Sequence, residues 1–301
     1  WNLPVVSGVS TSTQLDDKTR FATLTRTMPS LDLFANFAYA FLRHVGAERF
    51  AILRGTGSKD DYYDNVLPNG VYRFLEAKGI TVIDVYANQL ESLDEALQKA
   101  TSLAKVIFIS TSPVRDVMVR AHRLGYTNGS HVFMNWYPVH TKSWQTRSEF
   151  DNIDDETADA LRSLLISRVH VPDTKEYHEF QKKLRARQME LYGEQAEEEQ
   201  YPAATTHDAV LIYAEAVSET VTEGGDVRDG RALTKKMWNR EFQGVTGTVN
   251  INENGDRYGV CELLEMTDTG TFSVIGTYDE ATDNVDIGEG DHIWERVPFN
   301  S

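Results

Sequence analysis

Four apolar runs, each following a stretch of helical periodicity, limit what this chain can fold into more than any other feature. They are ERFAILR (48–54), ITVIDVY (80–86), KVIFIS (105–110) and HVFM (131–134). A strand that is apolar on both faces must be covered on both, which points to a parallel sheet wrapped by helices. The intervening segments supply the helices. LDLFANFAYAFLRH (31–44) repeats apolar residues at Leu33, Phe34, Phe37, Phe41 and Leu42, a helical period. Tyr72, Phe74 and Leu75 mark a second helix that stops at Lys78-Gly79, where glycine supplies a left-handed turn. Ser92-Leu-Asp-Glu95 has the S-x-x-E capping box, so a third helix opens near 93. Pro113 opens a fourth, which Gly125 closes. Residues 30–134 therefore read as a doubly wound α/β lobe.

Beyond it, 138–160 is polar and irregular, a long surface connection, and SLLISRVHV (163–171) reads as a strand. Asp173 to Leu191 is a charged helix, EQAEEEQ (194–200) a solvated acidic loop, and Thr205 to Val221 a helix with Ala209, Val210, Ile212, Tyr213 and Ala216 on its apolar stripe. Asp229 to Arg240 is a last short helix, and strands and turns fill the remainder.

Several function classes fall away on composition. A formal charge of −16 opposes nucleic acid, whose phosphates need a basic footprint, and opposes docking on anionic lipid. It would steer a cationic ligand favourably. No run approaches the roughly 18 to 20 apolar residues of a membrane helix, so membrane attachment would come only through flanking segments. The start, WNLPVVSGVS, has no signal-peptide pattern and reads as cut from something longer. Cys261 is the single cysteine and reads as a half-buried strand residue, and Asn128-Gly-Ser130 is a glycosylation sequon.

Each candidate chemistry meets an obstacle in the residues themselves. Gly55-Thr-Gly-Ser-Lys59 follows a strand where phosphate loops sit, yet it fits neither nucleotide pattern, and Asp60 and Asp61 would repel phosphate. His207-Asp208 lacks a nucleophile motif beside it, and it and His122 read as local hydrogen-bonding residues. No zinc spacing exists, so no metal and no cofactor is expected. In GVTGTVNINENGDRYG (244–259), oxygen side chains at Asn250, Asn252 and Asn254 imitate a calcium loop, but the twelfth position is Cys261 where a bidentate Glu is required. Val245, Gly247, Val249 and Ile251 instead alternate with polar residues, so the stretch reads as strand, tight turn at Glu253–Asp256, and strand.

That stretch, taken as WNREFQGVTGTVNINENGDRYG (238–259) with EMTD (265–268) and VIGTY (274–278), resembles the extracellular ligand-binding domain of natriuretic-peptide receptors and receptor guanylyl cyclases. So do TLTRTMPS (23–30), FLRHVGAERFAIL (41–53), VRDVMVRAHRLG (114–125) and HDAVLIYAEAV (207–217), in the family's order along nearly the whole chain. The resemblance implies a two-lobed type I periplasmic-binding-protein fold with parallel sheets flanked by helices. It implies a first lobe from 1–27 and 168–243, N-terminally incomplete and lacking the family's chloride-binding segment. The second lobe would be 28–167 and 244–301, its sheet completed by the 245–260 hairpin.

The function so implied is extracellular ligand sensing by a single-pass receptor at the plasma membrane, with cyclic GMP made by a cyclase domain outside this chain. The alternative is a clearance-type receptor or a small-molecule solute-binding module. Partners would be a peptide or small-molecule ligand and a second copy in a homodimer, and the chain itself would be no enzyme. The family's disulfide positions fall near Asp64 and Phe108, so that bridge is absent, and its peptide-contact positions fall on Asn65, Val66, Asp84 and Tyr86. Asp60, Asp61, Tyr62 and Tyr63 beside them form an aromatic and acidic patch suited to a basic peptide. Asn128 is the expected glycosylation site.

Overall fold

A computed structural model describes residues 2–55, 66–87, 92–111, 113–137, 153–194, 200–268, 270–290 and 292–299. The chain divides into two units. The first draws on 1–33 and 170–259, and the second on 34–138, 144–169 and 260–301. The first unit opens with β1 (Val5–Ser7) and β2 (Leu24–Arg26), paired in parallel. Then come α1 (Asp32–Val45), β3 (Arg49–Arg54), α2 (Leu67–Ala77), β4 (Thr81–Tyr86), α3 (Leu93–Leu103), β5 (Val106–Ser110), α4 (Val114–Arg123), β6 (Val132–Tyr137), α5 (Asp155–Leu161) and β7 (Leu164–Val169). Back in the first unit are α6 (Lys175–Tyr192), α7 (Tyr201–Thr222), α8 (Gly230–Met237), β8 (Arg240–Gly244) and β9 (Gly247–Ile251). The chain ends with β10 (Val260–Met266), β11 (Phe272–Asp279) and β12 (Asn284–Ile287) in the second.

The second unit is built on an eight-stranded sheet in the order β12-β11-β10-β7-β6-β5-β3-β4. Its β3 to β7 run parallel, as the apolar runs require, and β10 to β12 add an antiparallel extension. Alternation splits each strand between two covered faces. Ala51, Leu53, Ile107 and Ile109 pack against Ala96, Leu97, Val117 and Met118 of α3 and α4. The opposite face is aromatic: Phe108 lies 4.8 Å from Phe34 of α1, with Phe50 beside it. Phe108, where the family disulfide would fall, is thus a core residue 1% exposed. The expected punctuation holds. Ser92 Oγ accepts from the Glu95 amide at the start of α3, and Gly79 and Gly125 have φ of +85° and +80°. The stretch expected to be irregular to 160 contains α5, capped by Asp154, whose side chain accepts from the Thr157 amide. A polar, acidic first turn favours a helix start and masked its short apolar face.

In the first unit, α7 and α8 pack Ile212, Ala216, Leu233 and Met237 onto Phe242, Val249 and Ile251 of the β8-β9 pair. This corrects one expectation. The strand within 245–260 is real and turns back, with the Tyr258 amide donating to Asn250 O and Gly255 at φ +79°. It does not complete the large sheet. β9 pairs with β8 because Val249 and Ile251 are buried under the helices, and it is β10 that enters the eight-stranded sheet beside β7. The last division between units accordingly falls at 259/260, where 243/244 was expected.

Candidate ligand site

Ligands of open parallel sheets bind at the carboxyl ends of the strands. On the second unit that end carries Arg54 of β3, which shares a face with Phe50 and Ile52 and is 1% exposed. Register pairs Ile52 with Asp84 and Arg54 with Tyr86, setting the three side chains on one face. Arg54 Nε donates to Asp84 Oδ1 at 2.7 Å and Nη2 donates to Oδ2 at 3.0 Å, a forked ion pair. The Tyr86 ring lies 5.4 Å from the Arg54 guanidinium carbon, and its hydroxyl is 3.5 Å from Asp84 Oδ2, the outer limit of a hydrogen bond. Val66, 38% exposed, stands immediately before α2.

The structure thus gathers Asp84 and Tyr86 around Arg54, which sequence reasoning passed over. The available signal was a cation closing an otherwise apolar strand. The charge of Asp84 is already paired by Arg54. Asp60, Asp61, Tyr62, Tyr63 and Asn65 lie outside the described residues. Asn128 is exposed in the turn after α4. A cavity of 410 Å³ in this unit is lined by Glu48, Arg49 and Lys105 at the amino ends of β3 and β5, away from the expected contacts.

The other candidates resolve into structural roles. Asp208, fully buried on α7, accepts from the Val245 amide at 2.7 Å, from the Thr246 amide at 3.1 Å and from the Thr246 hydroxyl. His207 Nδ1 lies 3.7 Å from Asp208 Oδ1, too far for a hydrogen bond, and its ring packs on Phe180. His122 bonds Thr127 Oγ1 locally at 2.7 Å. In the loop that imitates a calcium site, Asp256 receives Arg26 Nε at 2.7 Å and Lys18 Nζ at 2.8 Å, so its carboxylate is held by cations of the protein. Asp256 and Asp16 hold the Arg26 pKa above its ordinary value despite the opposing effect of burial. Cys261 is fully buried, which pushes its thiol pKa well up and makes it unreactive. No group of three or more His, Cys, Asp or Glu among the described residues could hold a metal ion.

Comparison with known proteins adds five findings. Residues 1–269 match the family model described as the receptor family ligand binding region. Atrial natriuretic peptide receptor 3 from Bos taurus is 28% identical over 293 residues, 92% of this chain and 53% of that protein. Atrial natriuretic peptide receptor 2 from Homo sapiens is 28% identical over 93% of this chain and 29% of its own length. The receptor-type guanylate cyclase gcy-28 from Caenorhabditis elegans is 35% identical over 191 residues, 58% of this chain and 15% of that protein. The chain spans about half the length of the first of these and less of the others. Among solved structures, an ABC transporter substrate-binding protein from Desulfitobacterium hafniense in complex with Leu superposes with a TM-score of 0.55. It is 23% identical and matches 91% of this chain and 73% of its own, a likeness of periplasmic-binding-protein fold.

Proposed function

The chain belongs to the receptor-family ligand binding regions, and from that premise we propose that it is the extracellular ligand-sensing domain of a single-pass receptor guanylyl cyclase signalling through cyclic GMP. The observation that carries this reading is the family match from residue 1 to residue 269, joined to similarity with both natriuretic peptide receptors and a receptor-type guanylate cyclase. The chain needs no catalytic residues for such a role. A ligand acts by binding one of two receptor arrangements more tightly, and the difference in affinity shifts their populations. We assign ligand contacts to Asp60, Asp61, Tyr62, Tyr63, Asn65, Val66, Asp84 and Tyr86, glycosylation to Asn128, and both arrangements to a homodimer.

The full open reading frame, expressed in cells, tests the reading. Labelling with a membrane-impermeant reagent should reach this domain from outside, and peptide ligands should raise cellular cyclic GMP. A reading frame with a membrane helix but no cyclase domain would instead support the clearance-type alternative, and one with neither would support the solute-binding module. Neutralising Asp60, Asp61 and Asp64 should weaken a cationic peptide markedly at low salt, and unchanged binding would remove that patch from the site.

A further inference from the structure

Two buried donors at the carboxyl end of the second unit's sheet have no hydrogen-bond partner among the described residues: Arg54 Nη1 and Trp136 Nε1. Arg54 is 1% and Trp136 4% exposed. They come from different strands and are unrelated in sequence, yet register brings them to one level. Arg54 pairs with Ser110 on β5, and Phe108 of β5 pairs with Met134 of β6, so Trp136 lies across from Ser110. In parallel pairs, partners point to the same face. Both donors therefore lie on the aromatic face, two strand spacings or on the order of 10 Å apart at the backbone. Phe34 packs its ring 5.1 Å from Trp136, and Tyr86 flanks Arg54.

Buried donors are almost always satisfied, because leaving one unpaired forfeits its hydration without return. Two together, at the strand ends where α/β sheets take ligands, point to a missing acceptor. We infer that Arg54 Nη1 and Trp136 Nε1 form a carboxylate-recognition subsite of the sensor domain.

The chemistry narrows the ligand. Guanidinium and indole N–H groups only donate, so the ligand must bring acceptor oxygens. Asp84 already offsets the charge of Arg54 through the forked pair, so the subsite has no surplus cation to balance a dianion such as phosphate. The aromatic rings of Phe34, Trp136 and Tyr86 provide an apolar border for the rest of the molecule. A carboxylate of this kind could come from a free organic acid or from the carboxyl terminus of a peptide. The inference rests on the ligand-sensing reading but is tested without the receptor's output, so either can fail alone.

The test is titration of the 301-residue chain, labelled with nitrogen-15, with acetate, N-acetylglycine and N-acetylleucine. The N-acetylamino amides and inorganic phosphate serve as controls. Among the five tryptophan indole N–H resonances, the one lost in Trp136→Phe should move downfield with carboxylates and stay in place with amides and phosphate. Calorimetry should show carboxylate binding about tenfold weaker in Trp136→Phe, the loss expected of one hydrogen bond to a charged group. Arg54→Lys keeps a cation beside Asp84 but removes Nη1, and should abolish the resonance shift while the fold persists. Acetate binding as well as the N-acetylamino acids would assign the subsite to free acids; a preference for the latter would assign it to peptide termini. Silence of that resonance with every carboxylate, an equal response to amides or phosphate, or undiminished affinity in both variants would overturn the inference.

Discussion

Replacing Asp208 should unfasten the turn between β8 and β9 without touching any reaction. Its carboxylate is fully buried and accepts three hydrogen bonds from residues 245 and 246, about one turn of the pair it stabilises. Thr246 is itself buried and its hydroxyl also accepts from Arg257 Nη1 at 2.8 Å, so the hydroxyl keeps one partner if the carboxylate goes. That leaves two amides, one buried and one part-buried, and the Thr246 O–H without their acceptor. A buried donor left unpaired costs about 1 to 3 kcal/mol, so Asp208→Ala should destabilise by roughly 3 kcal/mol. Asp208→Asn keeps one acceptor oxygen and turns an amide toward a donor, for a loss of about 2 kcal/mol. Urea unfolding followed by tryptophan fluorescence reports the first quantity, since Trp238 packs in the same unit. Amide exchange at 245 and 246 reports the second, and should quicken more than exchange in β5. A loss below about 0.5 kcal/mol with unchanged exchange would refute the role assigned to this carboxylate, because typical exposed substitutions fall within that range.

Asp256→Asn should cost about 3 to 5 kcal/mol by leaving the fully buried Arg26 short of its main partner, while chelating calcium leaves the melting temperature of the unaltered chain where it was. Ser92→Ala should cost about 1 kcal/mol through loss of the α3 cap, read as a shift in urea midpoint. His292 donates toward Glu265 Oε2 at 2.6 Å and Gly288 O at 3.1 Å, and these acceptors raise its pKa although burial opposes the charged form. A raised folded pKa means the contribution is complete below the unfolded value of 6.5 and is lost as pH rises through the folded value. Melting temperature should therefore fall across that interval, and His292→Gln should flatten it.

What the residues alone disclosed follows from how unambiguous the burial is. β3, β5 and β6 are covered on both faces, so their runs admit few readings, and Ser92, Gly79 and Gly125 mark helix ends by local chemistry that no distant contact can override. β9 was legible as a strand for the same local reason, yet its partner was not. Val249 and Ile251 state only that one face is buried, and nothing in their pattern says whether helices of one unit or strands of the other supply the cover. Arg54 escaped notice because its significance lies in pairing with Asp84, 30 residues away. The acidic patch at 60–64 was conspicuous in sequence as charge, and the buried pair of Arg54 and Asp84 was not.

The discontinuity of the first unit has a consequence for how the protein is made. β3 to β7 follow one another along the chain, so the parallel core of the second unit can assemble soon after its residues emerge. Arg26, by contrast, waits for Asp256, which lies 230 residues later. At about 5 to 20 residues per second, that interval is on the order of ten to fifty seconds. During it Arg26 has Asp16 but not the Asp256 carboxylate, and β1 and β2 lack the helices that follow residue 170. β1 and β2, synthesised well before Asp256, are thus secured only after the second unit's parallel core has been made, and a nascent-chain binding factor would find a long opportunity there.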